Sequence, residues 1–146
     1  MGLIDALGPG PVAVDTAVFI YLIEEHPAYL PVVEPLFDEV AAGMREIVTS
    51  AVTLLEVLVV PFRTGEVALG GLYEALLTRS RGVRLVEIDR GQLRAAAQLR
   101  AHYDLRTPDA LQLAAALSSR CSAFVTNDRR LPPLPGLPIM QVSDHR

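Results

Sequence analysis

The sequence predicts an α/β fold in which a parallel sheet is sandwiched between helices. Short apolar runs of strand length alternate with longer segments whose apolar residues recur at helical spacing, and two of the short runs end in an aspartate. Strands that alternate with helices in this way form parallel sheets. Ligands of such sheets bind beyond the carboxyl ends of the strands, where the chain order reverses. We therefore expect the acids that end strands to mark a site.

The first third of the chain supplies two strands and two helices. PVAVD is an apolar run that ends in Asp15, and TAVFIYLIEE follows as a helix for which we predict Thr16 as the N-cap. AYLPVVEPLFDEVAAG carries apolar residues at helical spacing and stops at Gly43. EIVTS is the second predicted strand, so this part of the chain forms one strand–helix–helix–strand unit.

The middle of the chain contains one ambiguous segment, AVTLLEVLVV, whose β-branched residues also suit a strand. We predict a helix capped by Ser50 and ended by Pro61, because a proline followed by RTG stops a helix. EVALGGLYEALLTRS follows as a second helix, and VRLVEI alternates like a third strand.

The last third contains two helices and two strands. RGQLRAAAQLRAHY is a strongly patterned helix, and in TPDALQLAAALSS we expect Thr107 to cap the helix and Pro108 to occupy its first position. SAFVTND is a strand ending in acid, RRLPPLPGLP a proline-rich loop and PIMQV the last strand. Since no repeat or linker interrupts the pattern, residues 1–146 are predicted to form a single domain.

The basic residues exclude several function classes. All thirteen are arginines, and the chain contains no lysine. P-loop nucleotide binding needs a lysine, as do the phosphotransfer sites of receiver domains and of haloacid-dehalogenase-like phosphatases. The net charge of −4 argues against a protein that coats nucleic acid, for which a basic surface is the usual footprint. Any contact with nucleic acid must therefore be local.

Three features of the sequence favour a cytoplasmic protein. The longest uncharged apolar runs are too short to span a bilayer, which needs roughly 18 residues or more. The N-terminal stretch MGLIDALGPGP lacks the basic residues of a signal peptide. The one cysteine, Cys121, cannot form an internal disulfide, which suits a reducing compartment.

Four acidic side chains are candidates for a shared site. Asp15 and Asp128 end predicted strands, Asp109 opens a helix, and Glu56 interrupts an apolar helix. Each has an ordinary alternative: an aspartate can begin a helix or a turn, and Glu56 could reach solvent. Four converging carboxylates, however, repel one another and require a cation. Their all-oxygen ligation suits Mg²⁺ or Mn²⁺, and the lack of a Cys/His cluster disfavours zinc.

The four motifs VDTAVFI, SAVTLLEVL, TPDALQLAAA and FVTNDRRL, in this order and spacing, resemble the PIN-domain nucleases, specifically the VapC-type toxins of toxin–antitoxin pairs. The resemblance runs from about residue 12 to 142. It implies a Rossmann-like three-layer sandwich with a central, mainly parallel sheet. It also implies an acidic quartet made of Asp15, Glu56, Asp109 and Asp128.

The resemblance extends to polar neighbours of the acids. Thr16, Thr126 and Asn127 match the residues that flank the quartet in the family. Roles as caps and turn residues remain equally open for them, beside a role in orienting carboxylates.

The chemistry expected of such a site is metal-assisted hydrolysis of RNA phosphodiester bonds, with Mg²⁺ or Mn²⁺ activating a water. We expect Asp15 and Asp109 to be the innermost ligands. The resemblance implies a 5′-phosphate and a 3′-hydroxyl as products, and the toxin of a type II toxin–antitoxin pair as the biological role. A PIN nuclease of RNA processing and a non-catalytic RNA- or protein-binding module are the alternatives.

Arginines near the acids are candidates for guiding RNA into the pocket. Arg129 and Arg130 directly follow Asp128, and Arg106 lies three residues before Asp109. Guanidinium groups suit phosphate, although an ordinary solvated surface explains these residues about as well.

An apolar surplus follows Glu56 and predicts a second functional surface. Its members lie on two consecutive helices: Leu58, Val59, Phe62, Leu69, Leu72, Tyr73 and Leu76. We expect most of them in the core. The resemblance implies that the remainder form a groove for the amphipathic helix of an antitoxin, or a homodimer seam.

Two rival chemistries are less well supported by the sequence. A ribonuclease that works through the 2′-hydroxyl would need two of His26, His102 and His145 together, and nothing in their positions brings two together. Phosphotransfer with Asp15 as acceptor is disfavoured by the missing lysine.

Overall fold

A five-stranded parallel sheet forms the centre of the molecule. The structure is a computed structural model, and it describes residues 2–146. In chain order the elements are α1 (Leu3–Leu7), β1 (Val12–Val14), α2 (Thr16–Ile23), α3 (Leu30–Ala41), β2 (Ile47–Ser50), α4 (Val52–Thr64), α5 (Val67–Arg79), β3 (Val83–Val86), α6 (Arg90–His102), α7 (Thr107–Ser118), β4 (Ala123–Thr126), β5 (Ile139–Gln141) and a 3-10 turn (Val142–His145). The strand order is β3-β2-β1-β4-β5, and each neighbouring pair is parallel. The predicted α/β sandwich with a parallel sheet is therefore confirmed.

The alternation of side chains along the strands divides the core into two layers. Val12 and Val14 of β1 pack with α1 to α5, whereas Ala13 between them packs with α6 and α7 on the opposite face. β4 repeats the arrangement, with Val125 on the first face and Phe124 on the second. This period of two is the normal consequence of strand geometry, and it explains why strands buried on both faces are apolar throughout.

The order of the strands creates a crevice at one edge of the sheet. From β1 the chain moves to β2 and β3 on one side and later returns to β4 and β5 on the other side. The carboxyl ends of β1 and β4 thus flank the point at which the order reverses, where ligands of such sheets bind. Asp15 lies there and donates its backbone N–H to Val125 O at 3.1 Å, and Asp128 follows two residues after β4 ends.

The segment AVTLLEVLVV, whose composition also suited a strand, is helical, but its predicted end at Pro61 is wrong. α4 continues through Pro61 to Thr64 and ends at Gly65, whose φ of 73° places it in the left-handed region. Proline removes only one hydrogen bond from a helix, whereas a left-handed residue turns the chain, and glycine adopts that conformation without a Cβ penalty. The amide of Gly65 donates to Pro61 O, which satisfies one of the last carbonyls.

Three predicted N-caps are wrong by one residue. Ala51, and not Ser50, occupies the cap position of α4, although the hydroxyl of Ser50 accepts from Val52 N at 3.2 Å. Asp15, and not Thr16, caps α2, because its carboxylate accepts from Ala17 N at 3.1 Å. Arg106 occupies the cap position of α7, so Thr107 is already helical. α1 and the 3-10 turn were not predicted, since neither is long enough to show a periodic pattern. Within residues 2–146 no helix has the length and apolar character that crossing a membrane requires.

Candidate functional site

One small cavity at the carboxyl edge of the sheet brings the four candidate acids together. Its volume is about 170 Å³, and its walls are formed by Asp15, Thr16, Ala17, Glu56, Arg106, Pro108, Asp109, Gln112 and Asp128. The four acids come from four parts of the chain: the ends of two strands, the middle of α4 and the first turn of α7. The four side chains, far apart in the sequence, therefore lie close together because α2 and α7 both begin at the crevice of the sheet.

Asp15 is the acid most firmly held by its surroundings. Its Oδ1 accepts from Ala17 N at 3.1 Å, and its Oδ2 accepts from the hydroxyl of Thr126, which is buried at the end of β4. Burial raises the pKa of Asp15 to about 6, against the lowering effect of these two hydrogen bonds. The negative charges of Asp128 and Glu56 raise this pKa further. A nearby cation would relieve both effects.

Glu56 is half-buried, and its carboxylate lies against α2. Oε1 of Glu56 accepts from the hydroxyl of Thr16 at 2.6 Å. No arginine or histidine forms an ion pair with Glu56 in the part of the chain that the structure describes. The glutamate within an apolar helix is therefore explained by a hydroxyl donor and an open cavity, and not by a basic partner.

A buried polar network beneath Glu56 was missed by sequence reasoning. Gln112 Nε2 donates to Thr53 Oγ1 at 2.6 Å and to Thr16 Oγ1 at 3.4 Å. Gln112 Oε1 accepts from Ser50 N at 3.1 Å and from Thr49 Oγ1 at 3.2 Å. The one available signal was a glutamine in the apolar run ALQLAAA, three residues after Asp109 and so on the same face of its helix.

The other two acids are paired with arginines. Asp128 accepts from the backbone N–H of Arg130 at 2.9 Å and from its guanidinium at two positions, each 3.0 Å. These contacts lower the pKa of Asp128. Asp109 Oδ2 lies 3.3 Å from Nε of Arg106. Arg106 and Arg130 thus partly neutralise these two acids.

Two other predicted residues make contacts away from the cavity. Arg129 donates to Ser143 Oγ at 2.8 Å and to Asp144 Oδ1 at 2.6 Å, both in the 3-10 turn. Asn127 donates to Tyr21 OH at 3.2 Å and accepts from Ser143 N at 2.9 Å. Asn127 therefore ties β4 to α2 and to the C-terminal turn, and a direct role beside the carboxylates stays a prediction for both residues.

The three histidines do not form a pair at this site. His26 accepts from Ala28 N and Tyr29 N through Nδ1, so it shapes the turn before α3. His102 ends α6, and His145 lies in the 3-10 turn. The walls of the acid cavity contain no histidine.

The chemistry of the cavity fits a hard divalent cation. Its ligands would be carboxylate oxygens, the donors that such an ion prefers. The pKa of Asp15 is raised mainly by burial, with smaller contributions from the charges of Asp128 and Glu56. As the side chains stand, however, no group of three or more acidic, histidine or cysteine residues in residues 2–146 is close enough to hold a metal. In this arrangement Asp109 and Asp128 form ion pairs with Arg106 and Arg130.

The fold and the site together define a class: an α/β protein with an acidic cavity at the carboxyl edge of a parallel sheet. The PIN-domain family model matches residues 12–137. The chain therefore belongs to the PIN-domain family, as the sequence motifs indicate. PIN domains are nucleases that generally use divalent metal ions, so membership indicates a hydrolase. The comparison with curated proteins returns no match.

Solved structures with the same fold come from toxin–antitoxin complexes. VapBC2 from Rickettsia felis, bound to a DNA fragment from its promoter, is similar with a TM-score of 0.70 and 15% identity, covering 90% of this chain and 98% of that one. A toxin–antitoxin complex from Klebsiella pneumoniae gives 0.64 and 20%, covering 86% and 94%. VapBC-5 from Mycobacterium tuberculosis gives 0.54 and 24%, covering 91% and 99%. At these identities the similarity establishes the fold.

Proposed function

We propose that this chain is a metal-dependent endoribonuclease that hydrolyses RNA phosphodiester bonds, and that it is the toxin of a type II toxin–antitoxin pair. One observation carries the catalytic part: four carboxylates from distant parts of a PIN-domain chain line one cavity of about 170 Å³. The proposal treats residues 1–146 as one nuclease domain that acts in the cytoplasm, where the buried free thiol of Cys121 stays reduced.

The four acids are the proposed ligands of Mg²⁺ or Mn²⁺, with Asp15 and Asp109 innermost. Such an ion, when bound, lowers the pKa of water and balances the charge that develops on a phosphate. The chain must present Asp15 as a carboxylate in a fixed orientation. Thr126 and the amide of Ala17 support this, because both donate hydrogen bonds to its oxygens. Glu56 is held in the same way by Thr16.

Two depressions beside the acid cavity suit the approach of a phosphate backbone. One, of about 330 Å³, shares Asp15, Asp128 and Arg130 with the site, and the other, of about 370 Å³, contains Arg100, Arg106 and Arg130. Together the two depressions form a groove that lies across the acids. Guanidinium groups, which bind phosphate well, flank this groove.

Arg100 was not among the arginines that the sequence singled out. It donates from Nε to Leu105 O at 2.9 Å and from Nη1 to Thr107 Oγ1 at 3.0 Å. Since a guanidinium carries five N–H groups, these two bonds fix its position and leave donors for a ligand. We include Arg100 with Arg106 and Arg130 in the proposed RNA path.

The proposed antitoxin and homodimer surfaces rest on the exposed apolar side chains of α4 and α5. The hairpin of these two helices exposes six of them: Leu55, Val59, Val60, Phe62, Val67 and Leu72. Of the surplus named from the sequence, Tyr73 is buried and Leu58, Leu69 and Leu76 pack partly into the core. Patches of this kind commonly mark protein interfaces, and the solved structures with this fold include toxin–antitoxin complexes. An amphipathic antitoxin helix would suit the surface.

The catalytic proposal is tested by incubating the protein with total RNA in Mg²⁺ or Mn²⁺ and in EDTA, with Asp109→Asn as the inactive variant. Asp38→Asn is the control, because Asp38 lies at an exposed position on α3, outside the acid cavity and both depressions. We expect metal-dependent cleavage by wild type and Asp38→Asn, with 5′-phosphate ends, and a loss of about 100-fold or more in Asp109→Asn. Cleavage that persists in EDTA or in Asp109→Asn would refute the mechanism.

The toxin role needs a separate experiment, because a nuclease of RNA processing would pass the first test. Induced expression of the wild-type chain should arrest growth, and expression of Asp109→Asn should not. Growth unaffected by a chain that is active on RNA in vitro would favour the RNA-processing alternative.

A further inference from the structure

Gln112 connects three elements that surround the acid cavity. It lies on α7, and its side chain reaches β2 through Thr49 and Ser50 and α4 through Thr53. It is only 4% exposed, and all of its amide atoms have partners. A buried glutamine with its oxygen and nitrogen both satisfied is costly to rearrange, so its orientation is well determined.

The identity of one partner sets the direction of the amide. The backbone N–H of Ser50 can only donate, so the Gln112 atom 3.1 Å from it must be the carbonyl oxygen Oε1. The nitrogen Nε2 therefore points toward Thr53 and Thr16, 2.6 Å and 3.4 Å away, and donates to both hydroxyl oxygens.

The directions of the hydroxyl groups follow from the direction of the amide. Each hydroxyl carries a single proton. The proton of Thr49 goes to the carbonyl oxygen of Val14, 3.0 Å away, or to Oε1 of Gln112, 3.2 Å away. In both cases Thr53 donates to Thr49 across 2.7 Å. The proton of Thr16 is left for its shortest contact, Oε1 of Glu56 at 2.6 Å. Each hydroxyl then donates one hydrogen bond, and the path from Gln112 Nε2 through Thr16 ends at Glu56 as its acceptor.

We propose that Gln112 is a positioning residue for Glu56. Thr53 holds its amide nitrogen in place, and the amide acts through Thr16 so that the carboxylate is held as an acceptor at the wall of the cavity. The inference rests on the proposed function, since it assigns Glu56 to the metal. It goes further in giving a buried amide in the wall of the cavity, and not only the carboxylates, a part in metal binding. Groups that orient a ligand in this way typically change metal affinity by about 10–100-fold when removed.

A purely structural role is the competing explanation. Gln112 would then only fasten α7 to β2 through Ser50 and Thr49, and its loss would lower stability without regard to Glu56. The two roles differ in one measurable respect. A residue that acts through Glu56 can have no effect on metal affinity once Glu56 is gone, whereas a structural residue would act equally with or without it.

The experiment is a double-mutant cycle of Gln112→Met and Glu56→Ala, with Mn²⁺ binding measured by the EPR signal of the free ion. Methionine keeps an unbranched side chain without amide donors. In the otherwise wild-type protein we expect Gln112→Met to weaken Mn²⁺ binding by about tenfold. In the Glu56→Ala background we expect a change of no more than about twofold. Gln98→Met on the exposed face of α6 is the matched control and should leave binding unchanged in both backgrounds.

A second pair of variants covers the case in which Gln112→Met does not fold. Thr53→Val has the same shape but lacks the hydroxyl oxygen that holds the amide nitrogen of Gln112 at 2.6 Å, and Thr53→Ser keeps that oxygen. We expect Thr53→Val to weaken Mn²⁺ binding as Gln112→Met does, and Thr53→Ser to restore it. Equal binding by the valine and serine variants would overturn the inference.

The outcomes separate this inference from the proposed function. Unchanged Mn²⁺ affinity in folded Gln112→Met, or an equal loss with and without Glu56, would overturn the positioning role alone. Wild-type protein that binds no Mn²⁺ and cuts no RNA would overturn the proposed function and the inference together. Loss of Mn²⁺ affinity only when Glu56 is present supports both.

Discussion

The hydroxyl of Thr126 donates a hydrogen bond to Oδ2 of Asp15, so the residue that ends β4 holds the acid that follows β1. The two strands are parallel neighbours, and they flank the point at which the strand order reverses. The bond counteracts the effect of burial, which raises the pKa of Asp15 to about 6. A carboxylate at this position is thus oriented by the fold but remains costly to ionise when no cation is present.

This cost predicts that the metal-free protein loses stability as the pH rises through the titration of Asp15. The pKa of Asp15 is about 6 in the folded state, against an ordinary value of 3.8 for an aspartate side chain. Between these values the folded state binds more protons than the unfolded state, so the free energy of unfolding falls with increasing pH. The full effect is at most about 3 kcal/mol, at 1.36 kcal/mol per unit. Urea unfolding in EDTA at several pH values measures it.

Asp15→Asn isolates the contribution of this one group. Asparagine caps helices as well as aspartate does, and it carries no charge, so we expect the variant to be more stable than wild type above pH 6 and to lack this part of the pH dependence. Asp38→Asn, at an exposed position on α3, is the control that should retain the wild-type profile. Identical profiles for Asp15→Asn and wild type would show that Asp15 is not desolvated.

The arginines are predicted to differ in their effect on RNA binding. Arg130 lines the groove, whereas the guanidinium of Arg129 is bound to Ser143 and Asp144. We expect Arg130→Gln to weaken binding and to reduce the slope of log affinity against log salt by about 0.7, the value for one phosphate contact on a single strand. Arg129→Gln should change the slope less. The measurement is a titration of RNA binding with salt in the presence of Ca²⁺. Equal slopes of log affinity against log salt for the two variants would contradict the predicted difference between the arginines.

The apolar surface of α4 and α5 is predicted to be an interface. Phe62 is 70% exposed, and aromatic side chains at such positions contribute strongly to association. Phe62→Ser should shift the protein toward monomer, or abolish binding of a co-expressed antitoxin, without lowering RNA cleavage. Light scattering after size exclusion and co-purification measure the two effects. Leu93→Ser, at an exposed position on α6, is the control, and an unchanged mass and partner for Phe62→Ser would exclude this surface.

Two glycines are predicted to respond oppositely to alanine. Gly82 has a φ of 85°, and a Cβ there would lie 2.8 Å from Cγ1 of Val40. Gly82→Ala should therefore cost about 1–3 kcal/mol of unfolding free energy. Gly71 lies on α5 with open space around its Cβ position, so Gly71→Ala should stabilise the protein by about 0.5–1 kcal/mol. Chemical denaturation compares them, and destabilisation by both would contradict the structural difference.

Local patterns in the sequence were sufficient for most elements and for the acids. The alternation of apolar runs and helical periodicity is imposed by burial on either side of a sheet, so it appears in the sequence directly. The wrong predictions concern the ends of helices, because a single residue decides where a helix begins or stops. Pro61 does not stop α4, because the stop depends on the left-handed conformation of Gly65. Thr16 does not cap α2, because the preceding Asp15 takes that position and leaves the threonine hydroxyl free for Glu56.

The sequence by itself determined the parallel α/β architecture, the PIN-domain family and the identity of the four acids, because strand and helix periods and short motifs are local properties. Only the tertiary structure decided how the acids are held. Thr16 and Glu56 are 40 residues apart, and Gln112 and Thr53 are 59 apart. It also decided that Arg130 binds Asp128 while Arg129 binds Asp144 in the C-terminal 3-10 turn. Hydrogen bonds between distant residues depend on how layers pack, and no pattern along the chain encodes their directions.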